Sequence, residues 1–356
     1  MPAKISVKRI AELPPDLGDS CDVSPDGKHV AYKITGAGGM RAVIDGQKGP
    51  VCNHVLGPWF DDATGVLVYR ENDGKKGAFH IGETVHSGYE RAHNPTFSPN
   101  GKRTAYGVRK GKSWYVVIDG KLQKQAFDSV GVDMAWSPDG TKLAYSAEKD
   151  GKQHVFVNGD PGPECIEPHR LIFTPDGEKV AYLCSAPPFS QYMIHCGSYR
   201  SPKFAVPTSP GFSPTGELYF MFSPPHSFGY YVGSKLTESK RCVDRLFFRP
   251  DGSVAGRVES AGRDSFLVLD GQPEKPIPHF REALFHAPDA IAIHVDKLTA
   301  QESMTQLSGR EVVQFGGTET EEYDAIFHPR MLDAGKRVVF GARKGNDVLW
   351  VEMKNE

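Results

Sequence analysis

From His93 to Val130 the chain passes through four short runs, NPTFS, KRTAYGV, SWYVVIDG and KLQKQAF, punctuated by PNG, RKGK and DGK. Runs of four to eight residues rich in Val, Ile, Tyr, Phe and Trp, bounded by Gly, Pro, Asn and Asp, predict β-strands. Pro presets φ, Asp or Asn bonds its own backbone and Gly accepts positive φ, so the breaks predict tight turns. The stretch reads as a four-stranded antiparallel meander. No long apolar pattern of period 3.6 predicts a substantial helix anywhere in the chain.

The same pattern returns about every forty residues. Its clearest marker is the turn phrase, in DVSPDGKHVAY from Asp22, TFSPNGKRTAY from Thr96, AWSPDGTKLAY from Ala135 and IFTPDGEKVAY from Ile172. Weaker copies are GFSPTGELYF from Gly211, FFRPDGSVAG from Phe247, LFHAPDAIAI from Leu284 and IFHPRMLDAGKRVVF from Ile326, with the degenerate WFDDATGVLVY from Trp59 between the first two. A second marker, a β-prone run ending in glycine such as VIDG or VFVNG, recurs in phase at intervals of 36 to 39 residues. A four-stranded sheet cannot bury both its faces alone, and stacking such units about an axis is the propeller solution. The expectation is an all-β, nine-bladed β-propeller of four-stranded antiparallel blades, with eight blades as the alternative. It forms a single domain over 1–356, with repeats starting near 20, 57, 94, 133, 170, 209, 245, 282 and 324. The last repeat supplies three strands, so residues 5–13 are expected to complete its blade and close the ring.

The phrase F/W-S-P-D-G-K-x-x-A-Y, followed by a hydrophobic run and a glycine turn, resembles the TolB-like, WD40-like propeller repeat of bacterial proteins. The resemblance covers nearly the whole chain. It implies a propeller that serves as an interaction module or as the non-catalytic part of a peptidase. The Gly-His and Trp-Asp dipeptides of the eukaryotic repeat are absent.

Forty-two Lys and Arg against 44 Asp and Glu give a net charge of -2, which argues against bulk attraction to nucleic acid or an anionic membrane. The N-terminal MPAKISVKRIAELPPDL lacks the apolar core of an export signal, and no segment approaches the ~18 apolar residues of a membrane helix. Six scattered cysteines without a C-x-x-C pair read as reduced and buried. The expected location is cytoplasmic, or periplasmic if a signal has been removed, and the expected state is a monomer.

No nucleophile elbow, H-E-x-x-H or phosphate loop is present, and no cofactor or metal is expected. Three residues before the apolar residue that precedes each turn phrase stand Ser20, Gly57, Asn94, Asp133, Arg170, Ser209, Arg245, Glu282 and Asp324. These polar or glycine positions are expected to ring one mouth of the central channel. The loops between second and third strands, expected on the same face, become SAPPFSQY from Ser185 and SPPHSFGY from Ser223, presenting Phe189, Tyr192, His226, Phe228 and Tyr230. Rigid aromatic anchors suit a partner site. The expected function is a non-enzymatic scaffold for a peptide, protein or small polar ligand, with Asp133, Arg170, Arg245, Glu282, Asp324, Phe189, Tyr192, His226 and Phe228 as contacts. One alternative is a lyase or hydrolase built from channel-mouth acids and His93, His169, His286 and His328. Another is a structural segment of a larger assembly.

Overall fold

The computed structural model describes residues 2–14, 21–36, 38–72, 77–186, 191–205, 208, 210–223, 228–262, 264–277, 280–287, 290–296 and 310–355. Nine antiparallel sheets of four strands follow one another along the chain, making a nine-bladed β-propeller. Blade one holds Cys21–Val23, Val30–Gly36, Gly39–Ile44 and Gln47–Lys48. Blade two holds His54–Phe60, Leu67–Asn72, Gly77–Ile81 and Thr84–Tyr89. In blade three the first strand is split into Arg91–Ala92 and Thr96–Phe97, before Thr104–Lys110, Ser113–Ile118 and Lys121–Leu122. Blade four is Ser129–Trp136, Leu143–Lys149, Lys152–Val157 and Asp160–Glu164, and blade five is Ile166–Phe173, Val180–Ala186, Gln191–Cys196 and Tyr199–Arg200. Blades six, seven and eight open with Gly211–Phe212, Cys242–Phe248 and Phe280–Ala287. Blade nine is Ala325–Leu332, Arg337–Lys344 and Asp347–Lys354, completed by Lys4–Glu12. That last strand runs antiparallel to Asp347–Lys354, from Lys4 opposite Lys354 to Glu12 opposite Asp347. The expected closure by the N-terminal strand is therefore present.

The turn phrase works as its chemistry predicts. In blade four the amide of Gly140 donates to the Ser137 carbonyl at 2.8 Å, and Gly140 takes φ 73°. Ser137 Oγ donates to Asp139 and accepts from the amide of Lys142. That hydroxyl, with the amide and hydroxyl of Thr141, holds the Asp139 carboxyl down at about 2.

Two compact units divide the chain, 1–86 with 260–356, and 87–259. Within each, the core lies between consecutive blades because successive strand residues face opposite ways. In the 87–259 unit, Tyr182 and Cys184 of blade five pack with Ala144 and Val155 of blade four. Leu183 and Ile194 face the other way, into Phe204, Phe220 and Phe222. In the other unit, Phe340, Val351 and Met353 of blade nine meet Val313 and Phe315 of blade eight. A fully buried side chain of this size contributes about 1.5–3 kcal/mol.

The expectation that the cysteines are reduced fails at one pair: Cys165 and Cys184 form a disulfide, with Cα atoms 6.0 Å apart. Cys165 sits where blade four hands over to blade five, its amide donating to the Gln153 carbonyl in blade four. Cys184 lies in the second strand of blade five. Residues 19 apart in sequence thus become cross-blade neighbours. Cys21, Cys52, Cys196 and Cys242 are reduced thiols. No helix among the described residues is long and apolar enough to cross a membrane.

Candidate functional site

In blades two, four and five the positions picked out by repeat alignment coincide with β-bulges in the first strands. Bulges interrupt the register between Leu56 and Trp59 in blade two, Val130 and Met134 in blade four, His169 and Ile172 in blade five, and Phe327 and Arg330 in blade nine. Gly57 has φ 90°, Arg170 56° and His328 47°. A bulge leaves one residue out of the ladder and re-aims its side chain, which explains why an apolar core residue is avoided there.

In the 87–259 unit the bulges of blades four and five are joined. Asp133 Oδ2 accepts the Arg170 amide at 2.9 Å. The Arg170 side chain is exposed and has no ion-pair partner among the described residues. Beside it His169 Nδ1 bonds the Glu167 carbonyl at 2.7 Å, and its ring meets Tyr192 edge-on at 5.9 Å. Asn94 is exposed between the two pieces of the split first strand in blade three, and Arg245 is exposed on the first strand of blade seven. Phe228 begins the third strand of blade six opposite Ser239. Tyr230, expected on a loop, is instead buried with Met221, Val243 and Leu246. Ser20, Ser209, Phe189 and His226 lie outside the described residues. So does the side chain of Glu282, whose backbone pairs with His294.

In the other unit the same device carries a histidine. His328 Nε2 bonds Asp22 Oδ1 at 2.8 Å, its Nδ1 meets Asp62, and the other oxygen of Asp22 accepts the Phe60 amide at 2.7 Å. Residues of blades nine, one and two are thereby tied through one imidazole. Burial pushes His328 down, but bonds and charge from Asp22, then Asp62, outweigh it and raise its pKa. Asp324 is not the blade-nine member of the series. Its carboxylate accepts the Gly345 amide at 2.6 Å, as Asp128 accepts that of Gly151 at 3.2 Å in blade four. Phe-His-Pro imitates the turn phrase, whereas the turn of blade nine is Asp333–Gly335, beyond a strand that continues to Leu332. The alignment therefore slipped along this strand, and His328 holds the bulge.

Among the described residues no group of three or more His, Cys, Asp or Glu side chains could hold a metal ion. Both His328 nitrogens are occupied by carboxylates, which leaves neither to take a substrate proton. His93 is packed at 4.6 Å on Trp114.

No family profile matches the chain, and no curated protein does. Solved structures resemble it at low identity. The dihydro-haem d1 dehydrogenase NirN, in complex with DHE, is 12% identical with a TM-score of 0.47, over 89% of this chain and 77% of that one. The Dos1 propeller is 12% identical at 0.46, over 98% and 95%. TolB from Acinetobacter baumannii is 14% identical at 0.34, over 70% and 78%.

Proposed function

We propose that the protein is a non-enzymatic binding propeller. It takes a carboxylate-bearing peptide, protein or small polar ligand on the face of the first-strand bulges, with Arg170 as its main contact. One observation carries this reading. Arg170 is a bulky residue held at φ 56°, its amide fixed by Asp133 and its guanidinium exposed. Left-handed backbone costs a non-glycine residue about 1–2 kcal/mol. Strain of this kind persists where the surroundings over-determine it and is concentrated at functional positions. A guanidinium so fixed makes bidentate bonds to carboxylate. Tyr192, Phe228 and Arg245 extend the contact surface, and the repeat's resemblance to TolB-like, WD40-like interaction modules agrees with it. Of the two expected locations the periplasm is favoured, an oxidising compartment in which a structural disulfide persists. The partner is neither nucleic acid nor membrane, and the protein acts as a monomer.

The test is fluorescence polarisation with a labelled glutamate-rich peptide. Arg170→Ala should weaken binding by about 1–3 kcal/mol with the melting midpoint unchanged. Lys121→Ala, placed at the start of a fourth strand, should bind as wild type does. Equal binding by Arg170→Ala and wild type would retire the proposal.

A further inference from the structure

Three consecutive blade junctions in the 87–259 unit share a cation two residues beyond the turn glycine. Arg103 of blade three donates from Nη1 to the Gly140 carbonyl of blade four at 3.2 Å. Lys142 of blade four donates to the Gly177 carbonyl of blade five at 3.0 Å and pairs with Glu178 at 3.0 Å. Lys179 is next in the series, with Gly216 of blade six as the corresponding acceptor. Its ammonium makes no hydrogen bond or ion pair among the described residues. Its stem lies over Gly197 of its own blade, where an added Cβ would meet Lys179 Cδ at 3.1 Å.

Where the latch is missing, a cavity of about 690 Å³ opens between blades five and six. Two departures from the repeat border it. In blades one, three and four, Asp45, Asp119 and Asn158 cap the amide that starts the second strand, at 2.9 Å in each case. Blade five has Gly197 at that place, with φ 58° and no side chain to cap the Val180 amide, and Cys196 beside it lines the cavity. Thr215 replaces the turn Asp or Asn that the earlier copies carry as Asp26, Asn100, Asp139 and Asp176.

The walls offer opposite charges and an apolar floor. Asp176 uses one oxygen, Oδ1, for Thr174 Oγ at 2.5 Å and the Glu178 amide at 2.9 Å, and its Oδ2 makes no hydrogen bond. Glu217 reaches over Gly233, which lines the rim. Lys179 supplies the cation, and Tyr199, Phe212 and Leu218 the apolar surface. The volume falls within the ~300–1,000 Å³ of small-molecule sites. We propose that this cavity binds a short apolar peptide in its zwitterionic form, carboxylate on Lys179, ammonium on Asp176, and side chains against Tyr199, Phe212 and Leu218.

The experiment uses the whole chain and a pool of the dipeptides that Phe, Leu and Val can form, screened by saturation-transfer NMR at about 1 mM. At least one dipeptide should bind saturably and shield Cys196 from iodoacetamide, read by peptide mass spectrometry. C-terminal amidation should weaken it about tenfold in wild type and not in Lys179→Gln. N-acetylation should weaken it about tenfold in wild type and not in Asp176→Asn, since a lost charged contact is worth about that much. Both variants should fold, because Lys179 is exposed and blade three already carries Asn100 at the Asp176 position. No saturable binding, unshielded Cys196, or discrimination that survives in both variants would overturn the proposal.

Discussion

Blade five meets its two neighbours by different means. Towards blade four an apolar core is reinforced by covalent and polar contacts: the Cys165–Cys184 bond, the Lys142 latch, and Asp133 on the Arg170 amide. Towards blade six they are aromatic. Phe204 packs on Phe220 at 5.4 Å and on Phe222 at 4.9 Å, and Phe220 stacks on Tyr231 at 5.1 Å. Hydrogen bonds fix a junction at named atoms, whereas an aromatic core fixes it by area and leaves the rim free to part. The repeat thus tolerates a cavity at the second junction because the core there does not depend on the turn-face latch.

The comparison can be broken most sharply at its aromatic side. Phe220 is fully buried, so Phe220→Ala should cost about 3–5 kcal/mol in urea unfolding, with or without reductant. A loss under 1 kcal/mol, on the same scale, would mean that the junction is held otherwise. On the other side, Cys184→Ser should cost about 3 kcal/mol through loop-closure entropy, and reductant should bring wild type down to the variant. Reductant that leaves wild type unchanged would remove the disulfide from the account.

A third junction, joined by His328, should respond to pH where the other two do not. Its pKa is raised in the fold above the ordinary 6.5. The stability it contributes is therefore fully present below pH 6.5 and is lost as pH rises through the folded value. The gap in unfolding free energy between wild type and His328→Gln should narrow from pH 6 to pH 9. A gap that widens would reverse the assigned charge. Smallest of all is the latch itself. Lys142→Gln should cost about 0.5–1 kcal/mol, since the pair is half exposed. Lys179→Gln should cost nothing, and chemical denaturation of the two side by side separates a latched from an unlatched lysine.

Much of this was legible in the chain, for reasons that mark where it stopped. Ser-Pro-Asp-Gly encodes a turn through the backbone needs of its own residues, so the blades and their phase could be read locally. The N-terminal strand was found by deficit, because blade nine was one strand short. What involves two blades was harder. Cys165 and Cys184 meet only because the first sits at a blade handover, and spacing alone carries no sign of it. The non-apolar column was visible, but its cause, a bulge anchored in blade five by the aspartate of blade four, was not. His-Pro in the ninth unit read as a turn because Pro follows a polar residue there as in the others. The cavity left a signal that went unread: Gly197 and Thr215 stand where blades one, three and four carry Asp or Asn.

The pairing of Lys4–Glu12 with Asp347–Lys354 also orders events in time. Blade nine is assembled from one strand that precedes the other eight blades in the chain and three that follow them, so it forms after the sheets that are local in sequence. Loop closure over such a span grows only logarithmically with length, and the delay is set by synthesis rather than by entropy. Meanwhile the first strand travels as an unpaired edge, and Lys4, Lys8 and Arg9 keep that edge charged until its partner arrives.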